Sequence, residues 1–288
     1  MRLSIIGESL LVLPAMSISK KRIDEFQQFI FSWWKTNRRD LPWRRTSDPY
    51  KILISEVMLQ QTQVLRVIPK YAEFIEVYPT VDHLAKASPG DVLRIWKGMG
   101  YNRRALYLQK TAQEVAGIYH GIFPKDEQSL TKLPGLGTYT ARAIMVFAYR
   151  QNVAMVDTNV RQIITHFFFK DKPQKPLIIQ AVADQLVPKD KSWEWHQALM
   201  DYGSIHNSEF MIQNTKLPKI KIPFKESNRF YRGRIIDILR SDKSDEYKLV
   251  TDLMKKYGKP RQHFQLIIEN LVKDGLVVKK NTLLHLPE

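Results

Sequence analysis

Apolar residues spaced three and four positions apart recur along most of the chain and predict helices. The first such stripe consists of Phe26, Phe29, Ile30, Trp33 and Trp34. Its spacing of i, i+3, i+4, i+7 and i+8 is that of an amphipathic helix, which we expect to end near Asn37. Similar stripes continue to about residue 210, so we predict a mainly α fold.

After residue 212 the pattern is interrupted and then resumes. Residues 213–227 are basic, contain two prolines and are predicted to form a linker. Three further helices are predicted at about 229–240, about 248–257 and up to residue 274, followed by two short apolar runs around a Lys-Lys-Asn turn. Three helices followed by a hairpin is the order of a winged helix, so residues 228–288 are predicted to form a small winged-helix-like domain.

The segment 133–141, Leu-Pro-Gly-Leu-Gly-Thr-Tyr-Thr-Ala, places Gly135 and Gly137 between two predicted helices. Glycine permits positive φ and a close approach of the backbone to another molecule. The N–H groups at the start of the following helix favour an anion such as a DNA phosphate. An ordinary turn between helices explains the motif about equally well when it is taken alone.

Asp157 follows an apolar run and immediately precedes a predicted helix. A lone Asp in that position is usually an N-cap. The same geometry also suits catalysis, because helix N–H groups are expected to keep the carboxylate ionised in a semi-buried cleft. An ionised carboxylate beside a sugar C1′ stabilises the oxocarbenium character that develops in glycoside cleavage.

Glu56 lies in the middle of a predicted helix among apolar neighbours. A carboxyl group in such surroundings is expected to have a raised pKa and to serve as a general acid. The alternative is a Glu that points to solvent at the edge of the apolar face. Gln60 and Gln61 are unusual in so apolar a segment, and their amides can either read a base edge or cap the helix end.

The segment 97–104, Lys-Gly-Met-Gly-Tyr-Asn-Arg-Arg, places an aromatic ring and two guanidinium groups on a glycine loop. Tyr101 is a candidate wedge for the base stack, and Arg103 and Arg104 are candidate phosphate ligands. A solvated helix start is the competing interpretation.

The composition limits the classes of function that the chain can have. The formal net charge is +16, with 45 Lys and Arg against 29 Asp and Glu, which favours nucleic acid as the partner over an anionic membrane surface. The chain has no cysteine, which excludes disulfides, thiolate catalysis and cysteine-ligated metals. No apolar run is long enough to span a membrane, and residues 1–18 are interpreted as a short N-terminal extension. We expect a cytoplasmic protein, associated with the nucleoid in a prokaryote.

The four segments together, in this order, resemble the helix-hairpin-helix glycosylases of the endonuclease III superfamily, and most of all the MutY-type adenine DNA glycosylases. The resemblance covers roughly three-fifths of the chain and includes the segments 39–44, 55–63 and 98–101 as well as 133–141 and 156–160. It implies a two-lobed helix-hairpin-helix fold over 19–212, with a six-helix lobe at 46–150. The second lobe would combine 19–45 with 151–212.

The resemblance also implies roles for individual residues. Glu56 would protonate the departing purine, and Asp157 would stabilise the sugar cation, with Asn159 and Tyr139 in support. Tyr139 stands where bifunctional relatives carry a lysine, so hydrolysis without strand nicking is implied. The residues implied in substrate binding are Arg39, Trp43, Arg44, Gln60, Gln61, Met99, Tyr101 and Asp201. The residues implied at the DNA backbone are Gly135, Gly137, Thr138, Arg103 and Arg104.

The chain departs from the family pattern in two places. The family usually carries four cysteines after the segment 200–203 that hold an iron–sulfur cluster, whereas this chain has His206, Ser208 and Met211 there, so it resembles a clusterless branch. No protein-bound metal is therefore expected, apart from a monovalent or divalent cation that the resemblance allows at the hairpin. The tail also differs from the family's nudix-like domain, which leaves the opposite base open.

Three functions remain in consideration from the sequence. The first is excision of adenine mispaired with 8-oxoguanine or guanine, and the second is excision of thymine or uracil opposite guanine. The third is DNA binding without catalysis, for which Asp157→Asn would change nothing. The expected partner is double-stranded DNA with a mismatched or damaged base pair, bound by a monomer. The tail is expected either to contact DNA through Arg261, Gln262 and His263 or only to pack against the catalytic part.

Overall fold

The computed structural model describes residues 17–206, 210 and 223–288. The predicted N-terminal extension lies almost entirely outside these residues, as do Ser208, Met211 and the linker from 213 to 222. The chain divides into two compact units, one containing 1–39 and 152–214 and the other containing 40–151 and 215–288. The mainly α class predicted from the apolar spacing is confirmed.

The first unit contains four helices in its described part. They are α1 Lys20–Asn37, α9 Thr158–Phe169, α10 Pro176–Leu186 and α11 Ser192–His206. The apolar stripe of α1 forms the core with α9 and α11, because the Phe26 ring lies 5.1 Å from Phe168 and 5.7 Å from Trp195. This packing holds the C-terminal end of α9 against α1 and α11, and Asp157 lies at the opposite end of α9.

The second unit begins with seven helices and a short 3₁₀ turn at Pro42–Arg45. The helices are α2 Pro49–Leu59, α3 Val64–Val77, α4 Val81–Lys86, α5 Pro89–Ile95, α6 Arg103–Gly117, α7 Glu127–Lys132 and α8 Thr138–Phe147. Helix α2 is central, since all its residues from Ile52 to Met58 are buried. A stretch buried on every side explains why Glu56 is also covered.

The tail of the second unit contains the predicted three helices and hairpin. The elements are α12 Asn228–Ser241, β1 Ser244–Asp245, α13 Glu246–Tyr257, α14 Arg261–Lys273, β2 Val278–Lys280 and β3 Leu283–His285. The strands form an antiparallel sheet in the order β1-β3-β2, with Lys279 opposite Leu284 and Asp245 opposite Leu283. The strand β1 adds a third strand to the predicted hairpin.

The tail packs directly on the helices of its own unit. The Gly90 N–H donates to the Pro287 carbonyl at 2.7 Å, and a Cβ at Gly90 would lie 2.6 Å from that oxygen. Arg240 Nε donates to the Leu93 carbonyl at 2.8 Å. Helix α12 and the C-terminal residues are thereby held against α5. Across the described residues, no helix has the length and apolar character needed to cross a bilayer.

Candidate active site

Asp157 is the N-cap of α9, and both of its carboxylate oxygens are bound. Oδ1 accepts the Val160 N–H at 2.7 Å, and Oδ2 accepts the Asn159 side-chain amide at 3.1 Å. Burial raises the pKa of Asp157 above its usual value, while these hydrogen bonds oppose the rise. The hydrogen bonds from the helix start favour the ionised carboxylate, as the sequence suggested, and desolvation acts against them. Capping and the candidate catalytic position coincide in one residue.

His196 fixes the backbone that leads into Asp157. Its Nε2 accepts the Met155 N–H at 3.0 Å, and Nδ1 lies 2.7 Å from the Ser192 carbonyl, which fits a neutral ring that donates from Nδ1. Burial lowers the pKa of His196 to about 4. This role of His196 was not predictable, because a lone histidine among the apolar positions of a helix gives no signal of a partner 41 residues away.

Glu56 is 6% exposed, so the alternative of a solvent-facing side chain is wrong. Its neighbours one turn before and after, Ile52 and Gln60, are buried and partly buried. This burial is consistent with the general-acid role expected for Glu56.

Arg104, expected as a phosphate ligand, is bound to backbone carbonyls at the end of α2 and in the glycine loop. One terminal guanidinium nitrogen donates to the carbonyls of Val57 and Gln60 at 2.6 and 2.7 Å, and the other donates to the Met99 carbonyl at 3.2 Å. Burial lowers the pKa of Arg104 to about 10. These bonds cap the C-terminus of α2 and tie it to the glycine loop, which favours a structural role for Arg104 over a contact with DNA.

The glycine loop holds its residues in left-handed conformations. Gly98, Gly100 and Tyr101 have φ of +87°, +67° and +46°. Gln61, next to the end of α2, also has a positive φ of +53° and is exposed. Met99 is buried at 3% exposure and Tyr101 is 37% exposed. A single cleft in this unit brings together six of the expected residues, namely Gln60, Gln61, Met99, Tyr101, Arg103 and Arg104.

The hairpin between α7 and α8 depends on Gly135. Its φ is +76°, and a Cβ there would lie 2.7 Å from the Cβ of Tyr107 on α6. Gly137 is the N-cap of α8, is exposed, and has open space around its missing Cβ. Thr138 and Tyr139 form the first turn of α8. The open helix start therefore offers N–H groups to a phosphate, as the two glycines predict.

Several residues implied in substrate binding are held by contacts within the protein. Asp201, which the resemblance places at the rim of the base pocket, is instead fully buried, and it accepts hydrogen bonds from Trp34 Nε1 at 2.8 Å and Arg39 Nε at 2.5 Å. Within the other unit, Trp43 is buried against Tyr71 with ring centroids 5.6 Å apart, and Arg44 is 9% exposed. The Arg39 side chain is partly exposed, but the Asp201 carboxylate is not, so removing Arg39 would leave a buried charge without its cation and destabilise the protein.

The start of α14 is occupied by contacts inside the tail. The Arg261 guanidinium lies over the Tyr247 ring at 4.5 Å, and the His263 ring lies 5.1 Å from Tyr231. These contacts favour packing over the DNA contact considered for 261–263. Among the described residues, no cluster of three His, Asp or Glu side chains has the arrangement of a metal site.

Three comparisons with known proteins agree on the kind of fold. The family model of the HhH-GPD superfamily of base excision DNA repair proteins matches residues 54–189. An adenine DNA glycosylase of Mycolicibacterium smegmatis is 34% identical over 268 residues, which cover 86% of this chain and 91% of that protein. A second adenine DNA glycosylase, from Mycobacterium tuberculosis, is 39% identical over 199 residues, which cover 67% of this chain and 65% of that protein. The solved structure of a thermostable thymine-DNA glycosylase superposes with a TM-score of 0.61 at 33% identity, covering 64% of this chain and 87% of that one.

Proposed function

We propose, from the premise that this chain belongs to the HhH-GPD superfamily of base excision DNA repair proteins, that it hydrolyses the N-glycosidic bond of adenine mispaired with 8-oxoguanine or guanine. The observation that carries the proposal is the Asp157 carboxylate, fixed by Val160, Asn159 and the helix start. The adenine DNA glycosylases at 34% and 39% identity support the choice of base.

In the proposed reaction, the bond between N9 of adenine and C1′ of the sugar breaks, and the electron pair leaves with the base. Glu56 donates a proton to N7, which turns adenine into a neutral leaving group. The Asp157 carboxylate stabilises the positive charge on the sugar, either electrostatically or as a transient covalent ester at C1′. Water then adds its oxygen to C1′, any bond between C1′ and Asp157 breaks with its electron pair returning to the carboxylate, and the water proton passes to the Glu56 carboxylate, which leaves an abasic site.

Two features support hydrolysis without strand nicking and without an iron–sulfur cluster. Tyr139 in the first turn of α8 has no amine for a Schiff base with the sugar, so the strand stays intact after the base has left. The absence of cysteine from the sequence does not fit the family's iron–sulfur cluster, and none of the proposed steps needs one. We propose double-stranded DNA with a mismatched base pair as the substrate, bound by a monomer.

A second candidate is excision of thymine or uracil opposite guanine. The superposition on a thymine-DNA glycosylase at 33% identity supports it. Departure of a pyrimidine requires the Asp157 carboxylate but no N7 proton, so this candidate gives the burial of Glu56 no catalytic purpose.

Four 5′-labelled duplexes that differ only in the central pair test the proposal. Each duplex, A·8-oxoguanine, A·G, T·G or U·G, is incubated with excess enzyme, and abasic sites are then converted to breaks with alkali. Cleavage of the strand that contains adenine in the first two duplexes, and only after alkali, is the expected result. Cleavage confined to T·G and U·G would establish the second candidate instead, and no cleavage of any duplex would leave only DNA binding.

A further inference from the structure

A cleft of about 1030 Å³ lies between the glycine loop and the first helix of the tail. Lys97 to Arg104 line one wall, and α12 residues from Arg229 to Arg240 line the other. Both walls belong to the same compact unit, so the cleft is formed within one body.

The lining is strongly cationic. Eight of the side chains that line the cleft are Lys or Arg, and one, Asp237, is a carboxylate. Like charges at this density repel one another and destabilise the fold unless an anionic partner binds between them. The cleft therefore has the electrostatic character of a site for a polyanion.

Several of these cations hold the walls in place. Arg240 pairs with Asp237 and donates to Asn102 Oδ1 at 3.2 Å, so it joins α12 to the start of α6. Arg232 pairs with Asp274 at 2.5 Å within the tail. Their positive charges are partly neutralised by these carboxylates, and they serve mainly as structural links.

Arg66, Lys97 and Arg229 differ from these links. Across the described residues, no carboxylate lies within ion-pair distance of any of the three. The Arg229 guanidinium lies between two rings, 4.7 Å from Tyr101 and 4.8 Å from Phe224, and donates to the Tyr101 hydroxyl. These three cations supply the charge that is available to a ligand.

Tyr101 lines the cleft, and a neighbouring arginine holds its ring. The Arg104 guanidinium lies 5.4 Å from the Tyr101 ring and is itself fixed by the carbonyls of α2. Exposed aromatic rings among cations on a fixed backbone characterise sites that hold a nucleic acid strand, because rings stack on bases and cations bind phosphates. An acidic peptide would use the cations and leave the ring without a stacking partner.

We propose that this cleft binds one sugar–phosphate strand of duplex DNA, and that α12 is the face of the tail that contacts DNA. Arg66, Lys97 and Arg229 bind phosphates, and Arg229 also orients Tyr101 for stacking. This inference rests on the proposed function, because it names a second surface for the same DNA substrate. It places the contact on α12 and excludes the start of α14.

Duplex binding by Arg229→Ala tests the inference, with Lys255→Ala as the matched control. Lys255 is an exposed cation on α13 of the same tail and lies outside the cleft. An undamaged duplex is titrated by fluorescence anisotropy at several salt concentrations. Arg229→Ala is expected to weaken binding by about fivefold or more and to reduce the slope of log K against log salt by about 1, because one phosphate contact is lost. Lys255→Ala is expected to stay within about twofold of the wild type. Equal affinities and slopes for the two variants would overturn the inference.

A second measurement on the wild-type protein does not depend on how a variant folds. Lysines are acetylated with and without the duplex and quantified by mass spectrometry. Lys97 is expected to be protected by DNA and Lys255 to remain reactive, whereas equal reactivity of Lys97 in both states would count against the cleft. Adenine release by the wild type is recorded in parallel. Release with no effect of Arg229→Ala refutes the cleft alone, and DNA binding at the cleft with no release refutes the proposed function alone.

Discussion

Asp157 shows how one residue can serve folding and chemistry at the same time. As an N-cap it satisfies the N–H of Val160, a contribution to stability of about 1 kcal/mol for a typical cap. Its burial raises its pKa, which means that the folded protein bears part of the free energy of keeping it charged. A buried charge at this position makes the folded protein less stable than an uncharged cap would, as expected of a catalytic carboxylate.

Tyr139 determines the type of reaction in the proposed mechanism. We expect Tyr139→Lys to give partial strand nicking, because a lysine amine in the first turn of α8 can attack C1′. The measurement is trapping of the covalent complex with borohydride on an A·8-oxoguanine duplex. Tyr139→Phe is the control and should yield no trapped complex. Failure of the lysine variant to trap, while it still binds DNA, would count against this placement of Tyr139.

His196 gives the protein a pH-dependent stability. Its folded pKa of about 4 is lower than the usual 6.5, so the unfolded chain binds a proton that the folded protein does not. The contribution of His196 to the free energy of unfolding should therefore be complete above pH 6.5. It should decrease as the pH falls from 6.5 towards 4, by up to about 3 kcal/mol. Urea unfolding at pH 7, 6 and 5 measures the effect.

Two variants isolate the histidine. His196→Gln should be less stable at pH 7 but lose this part of the pH dependence. His120→Asn, at an exposed left-handed position, should keep the wild-type slope. Equal slopes for His196→Gln and the wild type between pH 6.5 and 5 would show that His196 is not the group that titrates.

At the scale of elements, the hairpin before α8 depends on how closely it approaches α6. Gly135→Ala should destabilise the protein by about 2 kcal/mol or more, because the φ of +76° is strained for alanine and the new methyl group overlaps Tyr107. Gly137→Ala, at a φ of −96° with open space, should cost less than about 1 kcal/mol. Thermal unfolding of both variants makes the comparison, and equal losses of stability would refute the packing argument.

The end of α11 and Phe210 belong to a group of packed rings, close in sequence to where the family resemblance implies an iron–sulfur cluster. Tyr202 lies 4.4 Å from His206, and Phe210 stacks on His166 at 4.5 Å. Aromatic pairs of this kind contribute about 0.5–1.5 kcal/mol each beyond the area they bury. These rings hold α11 against α9. The chain has no cysteine that could bind an iron–sulfur cluster there, so aromatic packing provides the contact instead.

The periodic elements were predictable from the sequence because their signals are local. A helix was expected to begin immediately after Asp157, and α9 spans Thr158–Phe169. Helix α4, Val81–Lys86, was not predicted, because six residues show no clear period and no glycine turn marks its end, as the hairpin marks the end of the equally short α7. The partners of Arg104 and Asp201 were not predictable either, since carbonyls on α2 and a cation 162 residues away leave no local pattern.

At the scale of the whole molecule, the net charge of +16 and the packing of the tail are related, because the tail forms one wall of a cationic cleft. The tail was expected to contact DNA through α14 or only to pack, and the structure places α12 beside the glycine loop. Part of the surplus charge lies along the cleft between them, which is lined by eight Lys or Arg side chains and one carboxylate. A polyanion would relieve the repulsion that this arrangement causes.

The measurement that tests the account most directly is single-turnover adenine release by the wild type and by Asp157→Asn on one A·8-oxoguanine duplex, with the dissociation constant measured alongside. Asparagine retains the cap of α9 and removes the charge, so we expect duplex binding within about threefold of the wild type and a melting temperature at pH 7 that is no lower. Release should fall by about 10²-fold or more, as expected when a charge that stabilises the transition state is lost. Adenine release by Asp157→Asn at the wild-type rate would contradict the account.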